Sequence, residues 1–393
     1  MYRVHSHFPA APLGSANHLF SLLRPIPSHP HAVNYQLHSF TSNTNRGSLA
    51  KYSHFPAAPL GTKHLFSPLR PIPSLAANYQ LHNFTTNTSG GSLAKSFDAY
   101  LRLIRFDKPT GTWLLFLPYA WGVALAAEAG SLPDWKIMLL LGTCAFAGRS
   151  GGCIMNDYWD QDFDRQVERC KTRPIASGEV SNFQALSYLA LNGSVIVALF
   201  ASLNTYSSTL ALSSLSFLVA YPLFKRITHW PQVVLGCAFS WGVLVGYSAV
   251  KGYCDWSVVL PLFASGVMWT LIYDTIYAFQ DIKDDVKAGV KSTTMLFGDN
   301  SKMILGGFSV CMMSGILATG MMSDQTWPYY TAAGLVGAHL AWQVGTMKMD
   351  NPADCMAKFK ANTWLGLLLL AGIMTGTLYK KKQHDDVNKN NSK

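Results

Sequence analysis

Between Asn156 and Arg165 the chain reads NDYWDQDFDR, an amide and four carboxylates directly after the apolar stretch MLLLGTCAFAGRSGGCIM. If the helix continues through it, Asn156, Asp160 and Asp164 follow one another at i, i+4 and i+8 with Asp157 alongside, while Asp162 points elsewhere. A second set, Asp274, Asp281, Asp284 and Asp285, lies in YDTIYAFQDIKDDVKAGVKS. At about 100° per residue, Asp274, Asp281 and Asp285 fall within about 40° of one another, and Tyr277 joins that face. Carboxylates stacked at helical spacing repel unless a cation neutralises them. Mg2+ suits such oxygen donors and is typically shared between one or two carboxylates and the phosphate oxygens of a substrate. Two facing stripes would therefore hold a diphosphate between them. Basic residues able to pair with its oxygens are Arg169, Lys171 and Arg173 in RCKTRP, Lys225 and Arg226 in YPLFKR, and Lys287 and Lys291 in DDVKAGVKS. The plain alternatives are solvated loop acids and basic topology signals. Two clusters, each striped beside a span and on one face, make solvation the weaker account.

The elements that must carry these residues are membrane helices. Of 393 residues 49% are hydrophobic and 13% charged, well below the roughly 25% charged residues of soluble domains. Nine apolar windows of the length that crosses a bilayer can be counted, with cores at 112–128, 136–154, 184–203, 206–224, 232–250, 257–276, 303–322, 328–347 and 362–379. The third and fourth are separated by little more than Asn204 and Thr205, so one long run must be split into a tight helical hairpin. The fold expected is all-α, a bundle of about nine transmembrane helices. With nine spans, both acidic clusters share one membrane side with seventeen Lys and Arg residues, against only Lys136 and Lys251 in the opposite loops. By the positive-inside rule the crowded side is cytoplasmic or, in a mitochondrion, matrix-facing. The five lysines after Tyr379 fall on the other side and are discordant.

Residues 1–97 are of another kind. They contain no Asp or Glu, seven Lys or Arg and nine of the twelve His, with abundant Ser, Asn, Thr and Pro. That composition suits a mitochondrial transit segment. Ser6–Lys51 returns nearly intact as Ser53–Lys95, and two Pro-rich polar copies read as a disordered duplication within a leader rather than as a packed repeat. A His-rich metal-binding arm is the sharper and less favoured alternative. The organisation expected is a leader over 1–97, a membrane domain over 98–380 and a polar tail over 381–393. Seven cysteines without a CxxC pair indicate neither a disulfide framework nor a zinc site. No nucleic-acid partner is expected.

NDYWDQDFDRQVERCKTRPIASG resembles the NDxxDxxxD motif and following Arg-rich stretch of the UbiA superfamily of intramembrane prenyltransferases, and YDTIYAFQDIKDD resembles its second Asp-rich motif. With RFDKPTGTWLLFLPYAWG near the first span, the chain looks most like the branch that prenylates 4-hydroxybenzoate in ubiquinone biosynthesis. Coverage runs from about Phe97 to Tyr379, and Cys170 stands where the family usually has Thr in RTxxRP. The resemblance implies a helical bundle with a central cavity open to lipid, and polyprenyl diphosphate and 4-hydroxybenzoate as substrates. It implies Mg2+ held by Asn156 and Asp160 on one side and by Asp281 and Asp285 on the other, with Asp157 and Asp164 in support. Arg169, Arg173, Lys225, Lys291 and Lys287 would hold the diphosphate. Arg105 or Lys108 would meet the acceptor's carboxylate, unless RFDKPTG is only the start of a helix, and Tyr277 would shield an allylic cation. The implied location is the mitochondrial inner membrane with the site facing the matrix. Association with other ubiquinone-biosynthesis enzymes is a partner that the sequence does not itself show. Rival readings are the same chemistry on homogentisate, a naphthoate or haem, and a cation or proton transporter, because intramembrane carboxylates also mark ion pathways.

Overall fold

The protein is described from a computed structural model, which covers residues 89–165, 167, 170–217, 224, 227–282 and 291–391. The duplicated leader, Arg169, Lys225, Lys287 and Asp285 lie outside the described residues. Among the described residues all regular structure is helical. The helices are α1 (Ser89–Leu103), α2 (Thr110–Leu125), α3 (Trp135–Trp159), the single turn α4 (Gln161–Asp164), α5 (Asn182–Ala201) and α6 (Thr205–Ser213). They continue as α7 (Pro231–Lys251), α8 (Trp256–Ala278), the short α9 (Thr293–Phe297), α10 (Ser301–Met322), α11 (Trp327–Gly345) and α12 (Pro352–Asn391).

Local chemistry sets the boundaries. Asp134 caps α3 by accepting from the backbone N–H groups of Lys136 and Ile137, and Ser181 with Gln184 forms a reciprocal capping box at α5. Asn204 accepts from the Ser207 N–H at the start of α6, so the long apolar run splits where the sequence predicts a hairpin. Pro231 opens α7 and Gly252, at φ 79°, closes it in the left-handed conformation. Asp255 then caps α8.

Among the described residues six segments are long and apolar enough to cross a bilayer: Trp135–Trp159, Asn182–Ala201, Pro231–Lys251, Trp256–Ala278, Thr293–Met322 and Pro352–Lys380. The described parts of the other three windows are mainly helical but fall short by length or composition. α2 has 16 residues, α6 as described is shorter still, and α11 carries His339, Gln343 and two tyrosines. The expected count of nine therefore rests on these three as additional spans. Two boundaries differ from expectation. The first helix begins at Ser89, inside the stretch read as leader, because its C-terminal half is held by packing: Ala99, Leu103 and Ile104 are buried against Ile154, Ile175, Val180 and Ala185. At the other end, the helix of the last span runs on through the polar tail to Asn391.

The main core lies among α2, α7, α8, α10, α11 and α12. Trp121 and Trp269 meet at 5.0 Å between ring centroids, and their indole N–H groups donate to the Gly366 carbonyl and the Asn362 side chain of α12. α2 and α7 approach closely because Gly122, Gly242 and Gly246 leave no room for a Cβ between the two backbones. Large apolar side chains such as Met303, Val310, Leu335 and Trp364 are turned outward, as on helices that meet lipid.

Candidate functional site

The first acidic motif straddles the end of α3. The helix stops at Trp159 and restarts as α4, yet the backbone bonds from Asp160 N–H to Asn156 O (2.9 Å) and from Asp164 N–H to Asp160 O (2.8 Å) carry the register through the junction. Helical register then sorts the acids into two pairs. Asn156 and Asp160 stand one turn apart and are partly buried. Asp157 and Asp164, seven residues apart and both buried, occupy the adjacent face. Asp162 is exposed and pairs with Arg165 at 2.9 Å, on a different side as expected.

Two guanidinium groups close on the buried pair. Arg105 Nη2 donates to both carboxylate oxygens of Asp157, each at 2.8 Å. Arg173 Nη1 donates to Asp157 Oδ1 at 3.1 Å and to both oxygens of Asp164 at 3.0 and 2.8 Å. The Asp157 side chain is only 2% exposed. Burial in the first place, and then the Asp157 and Asp160 carboxylates, push Asp164 up to about 6 against the opposing pull of Arg173.

The loop after α4 delivers Arg173 by winding through consecutive turns. Cys170 N–H donates to Val167 O, Arg173 N–H to Cys170 O and Ser177 N–H to Arg173 O. Ile175 and Val180 are thereby buried beneath α1. Arg102 fastens α1 to the same loop through an ion pair to Glu179, and pairs within α1 with Asp98 at 2.9 Å.

The second motif begins inside α8 and continues beyond its end. α8 ends at Ala278, and i→i+3 bonds from Gln280 N–H to Tyr277 O and from Asp281 N–H to Ala278 O, both 3.2 Å, tighten the exit. At about three residues per turn the 100° projection no longer applies beyond Ala278. The chain returns by Thr293, whose hydroxyl meets that of Thr275 at 2.7 Å. Asp274, Tyr277 and Asp281 are all partly buried, and Tyr277 stacks on Phe359 of α12 at 4.7 Å. Lys291 Nζ lies 3.4 Å from the carbonyl of Ile227, which brings it beside the segment that follows Lys225 and Arg226 in sequence. Lys108 is exposed, with Asp107 at 3.9 Å. Among the described residues no three His, Cys, Asp or Glu side chains converge as a metal cluster.

Sequence reading missed Arg149. It stands seven residues before Asn156 on α3, on the same face and about 10 Å deeper along the helix. Its guanidinium packs against Gly111 at the start of α2, where a Cβ would meet Nε at 2.5 Å, and the buried Nε has no hydrogen-bond partner. A cation inside a span was the available signal.

The donors available at the α3 end are all oxygen: the Asn156 amide and the Asp160 carboxylate one turn apart, in a turn whose acids already crowd one another. This is the donor chemistry that Mg2+ takes. Comparison with known proteins agrees in family. The model of the UbiA prenyltransferase family matches residues 115–379. A human protein named 4-hydroxybenzoate polyprenyltransferase, mitochondrial, is 50% identical over 295 residues, 75% of this chain and 80% of that one. The Caenorhabditis elegans protein of the same name is 48% identical over 282 residues, 72% and 79% of the two chains. Among solved structures, the apo UbiA homolog from Aeropyrum pernix K1 superposes with a TM-score of 0.58 at 24% identity over 67% of this chain and 97% of that one. The UbiA homolog from Archaeoglobus fulgidus bound to GPP and Mg2+ gives 0.56 at 18% identity over 70% and 99%.

Proposed function

Because the chain belongs to the UbiA prenyltransferase family, we propose that it transfers a polyprenyl group from an allylic polyprenyl diphosphate to the ring carbon of 4-hydroxybenzoate ortho to the hydroxyl. The observation that carries this reading is the identity of about half the aligned residues with enzymes named for that acceptor. The α3 motif supports it. In this reading Asn156 and Asp160 hold one Mg2+, and Asp281 and Asp285 hold another. Bound there, the metal supplies positive charge to the diphosphate as it leaves. Arg169, Lys225, Lys287 and Lys291 receive phosphate oxygens. Arg173, whose Nη1 is engaged by both Asp157 and Asp164, we assign to fixing those two acids.

Arg149 supplies the acceptor's counter-charge. A partly buried guanidinium on the same face of α3 as Asn156, whose buried Nε–H has no partner, is a costly arrangement that a carboxylate would satisfy. With the acceptor's carboxylate held there, its ring lies toward the diphosphate end of the same face. The allylic C–O bond breaks, the apolar walls and Tyr277 keep water from the cation, and the ortho ring carbon forms the new C–C bond. The ring proton then leaves to a carboxylate of the acidic motifs, restoring aromaticity.

We assign 98–380 as the catalytic domain with α2, α6 and α11 as additional spans, 1–97 as a mitochondrial transit leader, and the acidic ends of α3 and α8 to the matrix side of the inner membrane. The test is the purified full chain in liposomes, supplied with labelled allylic diphosphate and several aromatic acids together. Prenylated 4-hydroxybenzoate should form, and only with Mg2+. Retention of activity by both Asp160→Ala and Asp281→Ala would overturn the metal assignment, and preference for another acid would overturn the acceptor.

A further inference from the structure

Arg105 has a backbone that its side-chain type does not favour. It and Asp324 are the two non-glycine residues with positive φ among the described residues, Arg105 at 58°. α1 ends in a Schellman motif: Phe106 N–H donates to Leu101 O at 3.0 Å, and Arg105 N–H to Arg102 O at 3.2 Å. Arg105 fills the left-handed position of that motif, where glycine is usual because the Cβ of an L side chain crowds the backbone there.

The side chain accounts for its retention. Arg105 Nη1 donates to the Arg102 carbonyl at 3.0 Å, satisfying the end of α1, while Nη2 spans both oxygens of Asp157 at 2.8 Å. Its side chain is 16% exposed and that of Asp157 is 2% exposed. Only a long, forked donor on a chain reversal at this point can reach both. Without it, Asp157 would rely on Arg173, which must also serve Asp164. Both Nη groups of Arg105 are thus committed to protein acceptors, which argues against the acceptor contact that the sequence suggests for it.

We propose that Arg105 is a positioning residue. Its guanidinium fixes Asp157, and through the shared turn it fixes Asn156 and Asp160, so that they meet a divalent cation in one geometry. The clamp also keeps the Asp157 carboxylate from competing for that cation. This rests on the metal role proposed above for Asn156 and Asp160, and the experiment separates the two.

The experiment measures Mn2+ affinity of the full chain by electron paramagnetic resonance, beside the Mg2+ concentration for half-maximal prenyl transfer and the KM for 4-hydroxybenzoate. Arg105→Gly relieves the backbone and removes the clamp. It should retain the wild-type unfolding midpoint within a few degrees, weaken Mn2+ at least tenfold and leave the KM for the acid unchanged. Arg105→Gly/Asp157→Asn should bind Mn2+ no more weakly than Asp157→Asn alone, since the clamp acts through Asp157. Unchanged Mn2+ affinity in Arg105→Gly, or a raised KM for the acid with metal affinity intact, would overturn the proposal. Should Arg105→Gly not fold, Arg105→Lys and Arg105→Lys/Asp157→Asn are read in the same way. If instead wild type binds Mn2+ no better than Asp160→Ala, it is the metal assignment that fails.

Discussion

At the scale of single residues, Asp157 and Asp164 of the first acidic motif are held by guanidinium groups, while Asn156 and Asp160 are the pair proposed to hold the metal. Arg173 holds two buried carboxylates at once, so Arg173→Ala leaves them short of compensation, and breaking such a pair costs about 3–5 kcal/mol when buried. Its side chain is 21% exposed, so the lower end applies. A fall of several degrees in unfolding midpoint is expected, together with loss of activity. Arg149→Met separates differently. It removes a partly buried guanidinium whose buried Nε has no partner, so the midpoint should hold or rise, while the KM for 4-hydroxybenzoate rises at least tenfold and that for the allylic diphosphate stays. Equal increases in both constants would sink the acceptor role. The motif itself was legible from spacing alone, and Asp162 falls on a separate side as the register demands. What spacing does not contain is the partner of each acid. Arg105 and Asp157 are 52 positions apart, and only tertiary folding joins them.

At the scale of elements, α1 and the loop from Arg165 to Val180 form a small platform that presents Arg105 and Arg173 to the α3 end. Leu103 is fully buried in its cluster, so Leu103→Ala should cost about 2–5 kcal/mol locally. The expected result is faster proteolysis at α1 and weaker metal binding in the same direction as Arg105→Gly. The Arg102–Glu179 pair adds a pH dependence. Hydrogen bonding from Arg102 holds Glu179 below its ordinary value of 4.5. Its contribution is therefore present above 4.5 and is lost as pH falls through the lower folded value. Protection of α1 from protease should decline on acidification below about 4.5, and should not do so in Glu179→Gln. The helix periods and caps announced most of the elements, including the hairpin at Asn204. The exit of α8 was not legible, because a 100° projection assumes a helix that the chain leaves at Ala278 to bring Thr293 back to Thr275.

At the scale of the whole molecule, membrane composition is written throughout the sequence, but the number of crossings is not. Six segments meet the demands of a bilayer by themselves. Of the other three, α2 is mostly buried among α3, α7 and α12, so its shortness is compensated by protein rather than by apolar length. If all three cross, the count is odd, and the two ends of the domain lie on opposite sides. Lys108, exposed just before α2, would then face the matrix with the acidic motifs, and Lys380, at the end of the last span, would face the intermembrane space. Single cysteines placed at these positions in a background lacking the seven native cysteines should react oppositely with a membrane-impermeant maleimide. In intact mitoplasts the Lys380→Cys protein is labelled and the Lys108→Cys protein is labelled only after the membrane is opened. Labelling of both from one side would require an even count, with one of the three weaker helices failing to cross. In that case the lysines after Tyr379 would rejoin the positively charged face, and the discordance in the charge distribution would vanish.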